Sequence, residues 1–115
     1  MEIRQIECFI AAAEERHFGR AAARVHLSQS ALSRQIQRLE ADLGTSLFDR
    51  STRRASLTAS GRVFLRDARE VLHWADRARE SARAAADGRA GTLRLGYVSS
   101  ASVRLLPTLL RPFRE

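Results

Sequence analysis

The chain has 115 residues, 44% of them hydrophobic, enough for one ordinary domain with a modest core, so disorder is not the default. Its formal charge of +7 comes from 20 basic residues, all arginine, and favours a polyanionic partner such as nucleic acid or an acidic membrane surface. No apolar run approaches the roughly 20 residues of a membrane span, and the acid-bearing start Met1-Glu2-Ile3-Arg4-Gln5 is unlike a secretion leader. A cytoplasmic protein with no membrane association is expected. The single cysteine, Cys8, cannot form an internal disulfide, and beside Phe9 in an apolar pattern it reads as a buried core thiol in preference to a redox sensor.

Ile3, Ile6, Phe9, Ile10 and Ala13 recur at helical spacing, with Glu7, Glu14 and Glu15 mostly on the opposite side. They predict a first helix over 3–13 that packs one face. His17-Phe18-Gly19 interrupts the pattern. Ala21, Ala22 and Val25 resume it, predicting a short helix from Arg20 to His26 whose small residues permit close helix contact. The Ser28 hydroxyl can accept from the free amides of a new helix, and Leu32, Ile36, Leu39 and Leu43 then step by four, three and four residues. A third helix is predicted to about Leu43, with Gly44 as its stop. From Leu47 to Leu57, two short apolar arms flank a polar, basic tip, the pattern of a small hairpin or wing.

Thr58 opens the longest helical segment, predicted to about Asp87 with Gly88 as terminator. Within it Phe64, Ala68, Val71, Ala75, Ala78, Ala82 and Ala85 alternate spacings of four and three, a heptad-like seam. So long and thin a seam suits close pairing with the same helix of a second subunit. The alternative is a solvent-bridging helix supported by intrahelical pairs such as Asp76 with Arg79. After Ala90-Gly91, Thr92 to Val98 alternates like a strand, and Leu105 to Phe113 turns helical around Pro107 and Pro112. One strand and one helix cannot bury a core, so this is expected to be the cut-short opening of a second domain.

The segment from Phe18 to Gln37 reads as a short helix, a tight connection and a second helix with one polar stripe: Gln29, Ser30, Ser33, Arg34 and Gln37. Glutamine can pair bidentately with adenine, arginine with guanine O6 and N7, and serine with base edges or phosphate. Ser28 and its neighbouring amides stand at the helix N-terminus, a favourable place for a phosphate. Residues 16–54 hold eight arginines (16, 20, 24, 34, 38, 50, 53 and 54) against Glu40, Asp42 and Asp49, whereas residues 1–15 are net acidic. Arg50, Arg53 and Arg54 on the wing could clamp backbone phosphate or enter a minor groove. Arg16, Arg24 and Arg38 are as open to solvent or intramolecular pairing as to DNA.

Ala21-Ala22, then Leu27-Ser28-Gln29-Ser30-Ala31-Leu32-Ser33-Arg34-Gln35-Ile36, Leu39-Glu40, Leu43-Gly44, Leu47-Phe48-Asp49-Arg50 and Leu57-Thr58-Ala59-Ser60-Gly61 together resemble the pattern of LysR-type transcriptional regulators. The resemblance covers nearly the whole of residues 1–88. Family members commonly carry proline where this chain has Ser30, so a contact made by that ring would be missing. The resemblance implies a mainly α chain: a winged helix-turn-helix domain over 1–58, with its helix-turn-helix about 18–37 and wing about 47–57, and a linker or dimerisation helix over 59–88. Residues 89–115 would then begin an effector-binding domain, with Ser99 and Ser100 where such domains often touch a small-molecule inducer. It also implies a homodimer, commonly assembling into a tetramer in the full-length protein, that reads pseudo-palindromic half-sites in double-stranded DNA through Ser28, Gln29, Ser30, Ser33, Arg34, Gln37, Arg38, Arg50, Arg53 and Arg54. No cofactor is implied.

An enzyme would need a site, and the chain has no paired His/Cys metal spacing, no phosphate-cradling glycine loop and no Gly-x-Ser-x-Gly elbow. His17, His26 and His73 are isolated, and His17 and His26, flanking the short helix, read as surface or cap residues. A helical protein-interaction module should expose Leu, Met or aromatic anchors, where this stripe offers Gln, Ser and Arg.

Overall fold

A computed structural model of the chain describes residues 1–51 and 54–88. In chain order these form α1 (Ile3–Glu15), α2 (Phe18–Arg24), α3 (Gln29–Leu43), a hairpin of β1 (Phe48–Asp49) and β2 (Ser56–Leu57), and α4 (Ala59–Ala86).

The ends of the first three helices are set by side chains and by left-handed residues. At the start of α1 the Gln5 side-chain oxygen accepts from the Glu2 amide at 2.9 Å. The helix runs two residues beyond its predicted end, and Glu14 and Glu15 in that last turn both meet Arg24 of α2. It closes on Arg16, left-handed at φ 56°, whose amide donates to Ala12. His17 caps α2: its Nδ1 accepts from the Arg20 amide at 3.0 Å. The His17-Phe18-Gly19 segment is therefore a cap and a first helical turn, not a break, because imidazole nitrogen can do the work usually given to Ser or Asp. Helix α2 ends with the Leu27 amide on Ala22 and the His26 amide on Ala23, with His26 left-handed at φ 60°. This is the Schellman closure, made with histidine where glycine is commonest.

Helix α3 begins as predicted: the Ser28 hydroxyl accepts from the Ala31 amide at 3.1 Å. It stops at Gly44, φ 73°, whose amide donates to the carbonyls of Glu40 and Ala41. The hairpin is antiparallel, with Phe48 opposite Leu57 and Asp49 opposite Ser56. Thr58 then joins wing to helix. Its amide donates to the Leu47 carbonyl at 2.9 Å, its hydroxyl donates to the Ser46 carbonyl at 2.7 Å, and the same hydroxyl accepts from the Gly61 amide at 3.0 Å.

By its internal contacts the chain divides into residues 1–73 and 74–115. In the first unit α1, α2 and α3 pack on one another around Ile6, Phe9, Leu32, Ile36 and Leu39, joined by Leu47 and Phe48 of the wing arm. Each such side chain contributes about 1.5–3 kcal/mol by leaving water. Four rings interlock: the Phe9 centroid lies 5.5 Å from Phe48 and 5.2 Å from Phe64, and Phe18 lies 5.4 Å from Phe48. The tilted and edge-on arrangements suit the ring quadrupoles. Short as its strands are, the wing is thus anchored through Phe48.

The predicted seam on the long helix divides. Phe64 packs edge-on to Phe9, and Ala68, 1% exposed, lies in the same core with Leu65 and Leu72 beside it. These two thus pack in the domain's own core, Ala68 buried and Phe64 half-buried, because the first turns of α4 cover three small helices that cannot close a core alone. Val71 is exposed. In the second unit the described residues 74–88 carry Ala75, half-buried, and Ala78, Ala82 and Ala85, all exposed. The Arg77 guanidinium lies over the Trp74 ring at 5.7 Å, and the Asp76 to Arg79 pair is present at 2.9 Å. The strand expected over 92–98, the helix over 105–113, and Ser99 and Ser100 lie outside the described residues. No described helix is long and apolar enough to cross a membrane.

Candidate nucleic-acid interface

Helix α3 buries Leu32, Ile36 and Leu39 against the core. Residues three and four apart share a helix face, so burying that stripe turns the polar one outward. Gln29, Ser30, Arg34, Gln37 and Arg38 are exposed and Ser33 is half-buried. Ser28 is occupied as the helix cap, and its hydroxyl lies 3.3 Å from that of Ser30. Gln29 stands beside the first turn of α2: a Cβ added at Gly19 would lie 3.5 Å from its Oε1.

Partners inside the fold sort the arginines of the head. Arg24 is held by Glu14 at 2.7 Å and by Glu15 at 3.3 Å, the intramolecular pairing left open for it. Arg20 lies 4.0 Å from Glu15. Arg50 donates to Glu40 at 2.7 Å, a partner within the domain. The side chains of Arg16, Arg34 and Arg38 make no hydrogen bond or ion pair among the described residues. Arg34 and Arg38 stand one turn apart on the outward face of α3, so two of these three uncommitted charges lie on the polar stripe. Arg54 is exposed on the hairpin, and Arg53 lies outside the described residues.

Titration follows the same pairs. Glu14 is held below the ordinary carboxylate range first by its hydrogen bond from Arg24 and then by that from Arg69, and the Arg24 guanidinium is raised in return. Asp49 is lowered by the Ser51 hydroxyl and amide, which brace the wing turn. Burial pushes the Cys8 thiol up, as expected of an inert core cysteine.

Two acids organise the head: Glu40, which the family-like pattern includes without a role, and Glu14, which no local pattern singles out. The Glu40 carboxylate, 13% exposed, accepts from the Leu47 amide at 2.7 Å, the Phe48 amide at 3.2 Å and Arg50. Glu14 bridges Arg24 of α2 to Arg69 of α4, the latter at 3.0 Å. The nearest signal for Glu40 is its place between the apolar Leu39 and Leu43, where an acid facing the core side requires a partner.

Residues 3–62 match the family described as bacterial regulatory helix-turn-helix protein, lysR family. The HTH-type transcriptional regulator ClcR of Pseudomonas putida is 50% identical over 111 residues, covering 96% of this chain and 38% of ClcR. TfdT of Cupriavidus pinatubonensis, also an HTH-type transcriptional regulator, is 47% identical over 113 residues, covering 98% of this chain and 50% of TfdT. The chain thus spans half or less of these curated relatives' length. The crystal structure of a CbnR_DBD-DNA complex matches with 51% identity and a TM-score of 0.70 over 75% of this chain and 99% of that one. A BenM_DBD/benA site 1 DNA complex matches with 36% identity and a TM-score of 0.72 over 76% and 99% of the two chains.

Proposed function

The chain belongs to the LysR family of bacterial regulatory helix-turn-helix proteins, and from that premise we propose that it is the DNA-reading and subunit-pairing part of a transcriptional regulator. The carrying observation is the coincidence on α3 of a capped N-terminus, an outward stripe of Ser30, Arg34 and Gln37, and uncommitted charge at Arg34 and Arg38. In this reading α3 lies in the major groove, with Gln29, Ser30, Ser33, Arg34 and Gln37 toward base edges and Ser28 and Arg38 toward phosphate. The hairpin tip, with Arg53 and Arg54, meets the flanking backbone or minor groove. DNA complexes of CbnR_DBD and BenM_DBD, whose chains the present one matches almost end to end, support it.

Two copies pair through the outward side of α4, from Val71 on through Ala75, Ala78, Ala82 and Ala85, and set two α3 helices on pseudo-palindromic half-sites. Residues 59–88 are then the linker, and 89–115 open an effector-binding domain in which Ser99 and Ser100 meet a small-molecule inducer. The full-length protein works in the cytoplasm as a dimer or tetramer, and its role is regulatory, not catalytic. The test is a fluorescence-anisotropy titration of the chain against its own gene's upstream duplex and a scrambled duplex at several salt concentrations. Preference for the upstream duplex that survives at physiological salt is expected. Equal binding to both, falling steeply with salt, would reduce the protein to a non-specific polyanion binder.

A further inference from the structure

We infer that Arg50 is a positioning residue and not a DNA ligand: with Glu40 it locks the wing to the recognition helix. The inference rests on the DNA-reading function proposed above. Glu40 stands in the last turns of α3, and its carboxylate spans the junction with the wing. One oxygen, Oε2, accepts both the Leu47 and the Phe48 amides; the other, Oε1, accepts from the Arg50 guanidinium at 2.7 Å. The backbone carbonyl of the same residue accepts from the Gly44 and Thr45 amides. Five donors between residues 44 and 50 thus converge on one residue of α3.

The chemistry sets the direction of the argument. A carboxylate only 13% exposed needs a counter-charge, and among the described residues Arg50 supplies it. Turning the guanidinium out to a phosphate would exchange a short charge-assisted bond for another of the same kind while leaving Glu40 charged and unbalanced. The exchange is uphill. Kept in place, the pair fixes the register of the first wing arm, Leu47 to Arg50, against the end of α3. The wing tip then stands at a set distance from the α3 stripe, which is what simultaneous engagement of adjacent grooves demands. This reading also accounts for why an arginine beside the wing is not among the uncommitted cations, whereas Arg34 and Arg38 are.

A double-mutant cycle tests it on the full 115-residue chain with the upstream and scrambled duplexes. Glu40→Gln keeps an acceptor for the two amides and removes the charge; Arg50→Met keeps the stem and removes the guanidinium. The expected result is that each single variant and the double variant lose upstream-duplex affinity by a similar factor, about tenfold. The double would be no worse than either single. If Arg50 is instead a phosphate ligand, Arg50→Met lowers the salt slope by about one while Glu40→Gln binds as well as or better than the parent, and the inference is overturned. Losses that multiply in the double variant overturn it equally. Should a variant lose its cooperative melt, the Arg50 Nε–H signal in the unaltered chain decides by NMR. An unmoved signal at saturating duplex supports the lock, and a shift like that of Arg34 overturns it. An unaltered chain that binds both duplexes equally would sink the DNA-reading proposal itself, a separate failure visible before any variant is made.

Discussion

Gly61, in the first turn of α4, lies against the backbone of Leu47 so closely that a Cβ there would clash with the Leu47 carbonyl oxygen. That oxygen also accepts the Thr58 amide, so it cannot swing away without breaking the junction of wing and helix. Alanine would gain about 1 kcal/mol in helix propensity, but relieving a clash with backbone costs about 1–3 kcal/mol or more. Gly61→Ala is therefore expected to lower stability despite the better helix former. Urea unfolding checks it, and an unchanged or higher midpoint would show that α4 and the wing arm are less tightly joined than the structure has them.

Arg34 is the exposed cation at the centre of the α3 stripe. Arg34→Ala is expected to lose about 1–3 kcal/mol on the proper site and to discriminate less between sites. Anisotropy on upstream and scrambled duplexes separates the possibilities. Equal loss on both would mean that Arg34 touches phosphate alone.

The exposed alanines late in α4 offer a test of subunit pairing that does not disturb the first unit's core. Ala78→Glu and Ala82→Glu place charge on a seam expected to be in close contact, and each should shift the association equilibrium toward monomer. Sedimentation velocity over a concentration series reads this directly. A distribution identical to the parent's would remove this stretch of helix from the pairing role.

Glu14 gives a pH signature. Its carboxyl is lowered in the fold by Arg24 and then Arg69, so its stabilisation is full at neutral pH. That stabilisation is lost as pH falls from the ordinary glutamate value of about 4.3 through the lower value of the folded state. The pairs are solvent-exposed, so the gain over Glu14→Gln at neutral pH is about 0.2–1 kcal/mol. Protonated glutamate resembles glutamine, and the gap should close as pH falls below the folded-state value. Urea unfolding of both proteins at pH 7 and pH 3 measures it; a gap constant with pH would contradict the ionic bridge.

His26 holds a left-handed conformation at φ 60° in the turn of the helix-turn-helix. An L-residue there costs about 1–2 kcal/mol, partly offset in a glycine variant by the greater freedom of its unfolded chain. His26→Gly should thus raise stability by about 0.5 kcal/mol and His26→Val should lower it by about 1 kcal/mol or more. Thermal melts of the pair give the ordering. Valine as stable as glycine would mean that the turn relaxes out of the left-handed region.

Local chemistry by itself determined most of the head. The three-and-four spacing of Leu32, Ile36 and Leu39 specifies which side of α3 is buried, and therefore that Ser30, Arg34 and Gln37 face out. Ser28 and Gly44 mark its ends because cap and left-handed stop are single-residue properties. His17, flanking the short helix, could be read as a surface or cap residue, but periodicity could not choose between them, since the break it makes in the apolar pattern looks like a loop. Nor could it say which partner an apolar stripe meets. Phe64 and Ala68 continue the same heptad as Ala78 and Ala82, yet the tertiary structure gives the first two to the domain's own core, because three short helices leave a face that only α4 and Phe48 can cover. The same holds for charge. Composition counts arginines without regard to partners, and pairing depends on residues brought together across the fold: Glu14 with Arg69, 55 positions apart, and Glu40 with Arg50 across the turn from recognition helix to wing.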